Sequence, residues 1–92
     1  MDDLLTQRDV RIVNPLGLHA RPAALFVKLA NTFGCDIEVG NEAMSVNGKS
    51  IMGVMMLAAE CGSTIRIKAS GDDAEQAVNA LAALVERGFG EE

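Results

Sequence analysis

The residues of this 92-residue chain best suited to chemistry lie in Leu16-Gly17-Leu18-His19-Ala20-Arg21-Pro22-Ala23. His19 is the only histidine, Arg21 follows two positions later, and Pro22 comes directly after it. A strand-like run precedes the stretch and a helix-like run follows it. His19 therefore falls at a strand-to-helix junction, beside the first turn of a helix. Free backbone N–H groups and the positive end of the helix dipole favour an anion there. A neutral imidazole is a competent nucleophile near physiological pH. Together these features describe a place where His19 could carry a phosphoryl group. A plainer reading, in which His19 is only a polar residue flanking a helix, fits the local pattern as well.

The elements that must position this stretch follow from hydrophobic period. Arg8 to Val13 alternates, with Val10 and Ile12 on one face and Asp9 and Arg11 on the other, as a half-buried strand does. Asn14-Pro15-Leu16-Gly17 stops it, because proline removes a ladder donor and glycine permits a turn. A helix is expected from about Ala20 to Thr32, with Pro22 near its start. Leu25, Leu29 and Phe33 share one face, Phe26 and Ala30 widen that stripe, and Lys28 lies toward solvent. Gly34 supplies a left-handed stop.

Cys35 to Val39 and Ala43 to Val46 read as a hairpin turning at Gly40-Asn41. Ser50 then caps a short apolar helix running through Ile51 toward Ala59. Thr64 to Ala69 alternates again. Ala74, Ala77, Val78, Leu81, Leu84 and Val85 follow helical spacing up to Gly88, with Asp72, Asp73 and Glu75 at the positive end of that helix. The order is β-α-β-β-α-β-α. This predicts an α+β two-layer open-faced sandwich, a four-stranded antiparallel sheet covered on one face by three helices. A single domain over 1–92 is expected, with 1–7 and 89–92 as loose tails.

Composition bounds the function. Hydrophobic residues make up 49% and charged residues 23%, which suits a globular chain. At this length folding buries only about 60–65% of the unfolded surface, so the core is modest. A formal charge of -5, with no Trp or Tyr, argues against a nucleic-acid partner. No apolar run approaches the ~20 residues of a membrane span. Met1-Asp2-Asp3-Leu4 lacks the character of a secretory signal, so the expected location is the cytoplasm. Cys35 and Cys61 form no close metal-ligand pair, and one histidine cannot complete an ordinary zinc site with them. No metal and no cofactor are expected. The simpler reading of the two thiols is as small apolar fillers, although sequence leaves a disulfide open.

Other chemistries find little support. No flanking signature marks a serine as the nucleophile of a triad with His19. Gly48-Lys49-Ser50 echoes the end of a phosphate-binding loop, but position 43 is alanine where that loop needs glycine. Met52, Met55 and Met56 could simply fill the core. Their short helix is apolar nearly all round, however, and a small domain cannot bury every face of it. An exposed, pliable apolar patch suits protein docking.

Gly17-Leu18-His19-Ala20-Arg21-Pro22-Ala23 and Asn47-Gly48-Lys49-Ser50-Ile51-Met52-Gly53-Val54-Met55 together resemble the histidine-containing phosphocarrier (HPr) family of the bacterial phosphotransferase system. The resemblance runs from about Arg8 to Phe89, and both motifs stand at the family's spacing. Its ending, Leu84 to Phe89, is also a little like the nitrogen-branch paralogue. The resemblance implies a phosphoryl carrier rather than an enzyme. His19 would accept phosphate through Nδ1 from phospho-enzyme I, charged by phosphoenolpyruvate, and pass it to a histidine of an enzyme IIA protein. Arg21 would pair with the phosphoryl oxygens, and the N–H groups of Ala20 and Arg21 would complete the cradle. Ala20, Ala24, Lys28, Ile51, Met52, Met55 and Met56 would form the docking face. Ser50 would be the regulatory phosphorylation site of a dedicated serine kinase/phosphorylase, or else a plain N-cap. A monomer is expected. Two readings from other classes stay in view: a regulatory docking module of the same fold, and a small-ligand-binding domain, for which no convergent set of polar residues marks a pocket.

Overall fold

Period-two alternation gives four short segments one apolar face each, and the chain pairs them edge to edge over that face. The structure is a computed structural model that describes residues 5–91. Its elements are β1 (Leu5–Arg11), α1 (Ala20–Ala30), β2 (Asp36–Gly40), β3 (Ser45–Asn47), α2 (Ile51–Met56), β4 (Thr64–Ser70) and α3 (Ala74–Glu86), followed by a 3-10 turn at Gly88–Gly90. The strands lie in the order β1-β4-β2-β3, and every neighbouring pair is antiparallel. Register places Val10 opposite Ile65, and Val39 opposite Ile67, so one face of the sheet is continuously apolar. The other face carries charge, including the Asp9–Arg66 pair at 2.8 Å. Both partners of that pair are about half exposed, so it adds little to stability.

All three helices cover the apolar face. α3 packs on β1 and β4, and α1 packs against both α2 and α3. Ile12, Phe26, Val39, Val54, Ile65, Ile67, Leu81 and Val85 are fully buried between the layers. Each contributes roughly 1.5–3 kcal/mol of hydrophobic free energy. The two-layer α+β architecture is the one the sequence implies.

Several details differ from the sequence reading. β1 begins at Leu5, so residues 5–7 are strand and pair with Ser70, Ala69 and Lys68 rather than forming a tail. Residues 1–4 lie outside the described range. At the other end Phe89 is buried, and Glu91 reaches back to the β1–α1 junction. The segment to residue 91 is therefore part of the fold. The buried face of α1 is Pro22, Ala23, Phe26 and Ala30. Leu25 faces outward, while Leu29 and Phe33 pack only on the rim of the core. Spacing of four places Leu25 with Leu29, but the adjacent Phe26 is the residue that joins the core cluster.

Two helices also stop early. α1 ends at Ala30 because the Thr32 and Phe33 N–H groups bond three residues back, to Leu29 and Ala30. α2 ends at Met56, and Ala58 then takes a left-handed φ of 49° that no helix tolerates. Asp73 does not cap its own helix. Its carboxylate accepts from the N–H groups of Gly34, at 2.9 Å, and Cys35, at 3.0 Å, tying the start of α3 to the turn after α1. The bond from Gly34 chiefly holds the Asp73 carboxyl below the usual carboxylate range. Burial, reinforced by Asp73, pushes the Cys35 thiol up to about 11.

Candidate functional site

The site is built from a loop that is clamped before His19 begins. The Gly17 N–H bonds the Asn14 carbonyl at 3.1 Å, and the Asn14 side chain donates to the Gly17 carbonyl at 2.8 Å. Gly17 has φ +69°, and a Cβ there would fall on the Ala59 carbonyl oxygen. Only glycine fits a left-handed residue at such a close backbone approach. Leu18 follows, buried, with its N–H on that same Ala59 carbonyl at 2.9 Å. Two consecutive anchored residues thus deliver His19 to the start of α1.

His19 is the N-cap residue of α1, in an extended conformation with φ -78° and ψ -170°. Its carbonyl accepts the Ala23 N–H at 3.0 Å, the first bond of the helix. Pro22 brings no N–H, so Ala20 and Arg21 supply the free donors of the first turn. The imidazole makes no capping bond, and its side chain is 37% exposed. Nε2 faces the Glu91 carboxylate, with Oε2 at 3.2 Å and Oε1 at 3.4 Å. A carboxylate can only accept, so this contact places the imidazole proton on Nε2. In the neutral ring Nδ1 then keeps its lone pair, and Nδ1 has no hydrogen-bond partner among the described residues.

Arg21 is exposed and forms no ion pair among the described residues. It stands two residues into the chain from His19, at the same helix terminus. A nucleophilic nitrogen, two free N–H groups and an unpaired guanidinium there make a fitting site for a tetrahedral oxyanion.

Beside it, Ser50 is the N-cap of α2, and its Oγ accepts the Gly53 N–H at 3.2 Å. Val54 and Leu57 are buried, so α2 holds to the core by one edge only. Ile51, Met52, Met55 and Met56 are exposed, Met52 to 72% and Met56 to 63%. α1 lies alongside, with Ala20, Ala24 and Lys28 exposed at spacing four. Leu16, 75% exposed, and Leu25 add further apolar surface that the sequence reading left out.

Asn14 and Glu91 are the members of the site that sequence reasoning missed. Asn14 reads as a turn residue and Glu91 as tail. In the fold Asn14 is buried, and its amide donates to Glu91 Oε1 at 3.0 Å as well as to Gly17. No spacing rule links positions 77 residues apart. The available signal is the apolar Phe89 within a polar ending, which marks a point where the chain returns to the core.

Cys35 is buried, Cys61 is exposed, and both are free thiols. No cluster suited to a metal occurs among the described residues. No helix among them is long and apolar enough to cross a membrane.

The family model described as PTS HPr component phosphorylation site matches residues 6–87. The phosphocarrier protein HPr of Cupriavidus necator is 46% identical over 95% of this chain and 98% of its own length. A crystal structure of HPr-C-His from Thermoanaerobacter tengcongensis superposes with a TM-score of 0.90 at 47% identity, covering 95% of this chain and 98% of that one. The Bacillus subtilis catabolite repression protein Crh, described as a swapped dimer, superposes with a TM-score of 0.73 at 42% identity, covering 90% and 95%.

Proposed function

The chain belongs to the HPr family of the phosphotransferase system and is a stoichiometric phosphocarrier, and we propose that His19 Nδ1 is the atom that carries the group. The observation that carries this reading is the pattern of contacts around the imidazole. Nε2 is occupied by Glu91, while Nδ1 stands open at the start of α1. The Nδ1 lone pair attacks phosphorus as the donor's own bond to phosphorus breaks, and Nε2 keeps its proton. Arg21 pairs with the equatorial oxygens, and the Ala20 and Arg21 N–H groups receive the remaining charge. A helix terminus supplies about 0.3–1 kcal/mol per favourable charge, and about 2 in good geometry. A carrier needs such modest stabilisation, since tight binding of the phosphoryl group would make it a poor donor.

Enzyme I is the proposed donor, and enzyme IIA proteins are the proposed acceptors. Both would use the Ile51, Met52, Met55 and Met56 face together with Ala20, Ala24 and Lys28, in turn. The protein would act as a cytoplasmic monomer, without cofactor. Incubation with enzyme I and phosphoenolpyruvate should give base-stable, acid-labile phosphate on His19. Absence of that label from folded protein overturns the reading.

Ser50 favours a second, compatible role. It sits at the edge of the exposed apolar face, where a dianion is tolerated by the helix start but penalised inside an interface. A serine kinase/phosphorylase would thereby switch docking without touching His19, and the likeness to Crh, described as a catabolite repression protein, fits a regulatory role. Acid-stable phosphate on Ser50 would support that role, and its absence in the presence of the kinase would remove it.

A further inference from the structure

Glu91 has a geometry that its place near the chain end does not explain. Both its carboxylate oxygens face His19 Nε2, at 3.2 and 3.4 Å. The carboxylate is itself held, because the buried Asn14 amide donates to Oε1 at 3.0 Å. Asn14 in turn is fixed by its second donor bond, to the Gly17 carbonyl. Phe89 is buried two residues before Glu91, with a left-handed φ of 57°, so the terminal turn is pulled onto the core rather than lying free. The Glu91 side chain is only 20% exposed. The result is a chain of fixed contacts from the loop backbone through Asn14 and Glu91 to the ring.

We infer that Glu91 is a positioning residue for phosphoryl transfer, holding the His19 proton on Nε2 and balancing the positive charge the ring gains as Nδ1 bonds phosphorus. The inference rests on the reading of His19 as the carrier. The charge balance of the step favours such a partner. A neutral imidazole attacks through Nδ1, the donor's bond to phosphorus breaks, and no proton leaves Nε2. The ring of the product therefore carries a full positive charge. An acceptor-only carboxylate on Nε2 stabilises that cation and keeps the ring a neutral leaving group when the phosphoryl group departs. Loss of the Nε2 proton would instead require imidazolate to leave. Asn14 serves the same end at one remove, since it aims the carboxylate and leaves the ring untouched.

Nitrogen NMR of ring-labelled protein tests the contact without any donor, at a pH where the ring is neutral. The parent should show Nε2 protonated and Nδ1 bare. Glu91→Ala should shift both resonances toward a mixture of tautomers, with melting and docking to enzyme I nearly unchanged. Its rate of phosphoryl acceptance at saturating phospho-enzyme I should fall roughly threefold to tenfold, a tenfold change being about 1.4 kcal/mol. Glu91→Asp should recover part of the rate. A merely structural role would move melting and leave the ring resonances alone. A parent that accepts no phosphate overturns the carrier reading of His19. A parent that accepts it, with Glu91→Ala matching it in ring resonances and rate, overturns the inference alone.

Discussion

Truncating Phe89 is the perturbation that most directly links the core to the site. Phe89 is 4% exposed, within the hydrophobic cluster that fills the space between sheet and helices. Replacing a buried phenylalanine by alanine costs about 3–5 kcal/mol. The lower end applies, because the residue lies in a terminal turn that can collapse into part of the space left behind. Its left-handed φ of 57° gives no relief, since alanine carries the same Cβ penalty there. About 3 kcal/mol is therefore expected for Phe89→Ala. In a domain of this size each kcal/mol moves the melting temperature by about 4–8 °C, so a drop of roughly 12–24 °C follows. The second consequence is local. Without its anchor the terminal turn no longer holds Glu91 against His19, so the ring resonances should match those of Glu91→Ala. The double variant should add almost nothing to the loss of transfer rate, as expected of two residues acting through one contact. Phe89→Leu, which keeps most of the volume, should retain the parent ring signature. Thermal melts, urea titrations and nitrogen NMR of the folded variants check each point. A Phe89→Ala protein that melts within about 2 °C of the parent would show that the aromatic ring is not part of the core.

Ser50→Asp keeps an oxygen at the N-cap, so stability should change by less than about 1 kcal/mol, while titration against enzyme I should show weaker docking, because a charge now borders the exposed methionines. Arg21→Ala should slow phosphoryl acceptance and leave docking measurable, and equal rates for variant and parent would make Arg21 only a surface charge. Asp73 contributes a pH-dependent tie. Its folded carboxyl titrates below the unfolded one, so the stability it adds is complete above the ordinary carboxylate value and is lost as pH falls through the lowered folded value. Melts of Asp73→Ala and parent should therefore differ at neutral pH and converge in acid.

Much of this was legible from residue pattern, for reasons that differ by element. Alternation in Thr64 to Ala69 marks β4 because a strand repeats every two residues and one face is buried. The junction at His19 is readable because Pro15, Gly17 and Pro22 each restrict the backbone in a known way. Ser50 reads as an N-cap because its side chain satisfies a local donor three residues on. What escaped notice depends on contacts distant in sequence. Leu25 and Phe26 are adjacent in sequence, and only the packing of α1 against α2 and α3 decides which is buried. Asp73 reads as a charge at a helix start, yet its partners lie 38 and 39 residues away. Glu91 belongs to the site because Phe89 folds the chain end under, which no local period encodes.

The central claim is that His19 carries the phosphoryl group, and direct labelling tests it. Parent and His19→Ala protein, both shown to be folded by melting, are incubated with enzyme I and radiolabelled phosphoenolpyruvate, and the labelled residue is located by peptide mapping. The account predicts acid-labile, base-stable label on His19 in the parent, bonded through Nδ1 by phosphorus–nitrogen NMR, and no label on the variant. A folded His19→Ala protein that accepts phosphate from enzyme I as readily as the parent would contradict it.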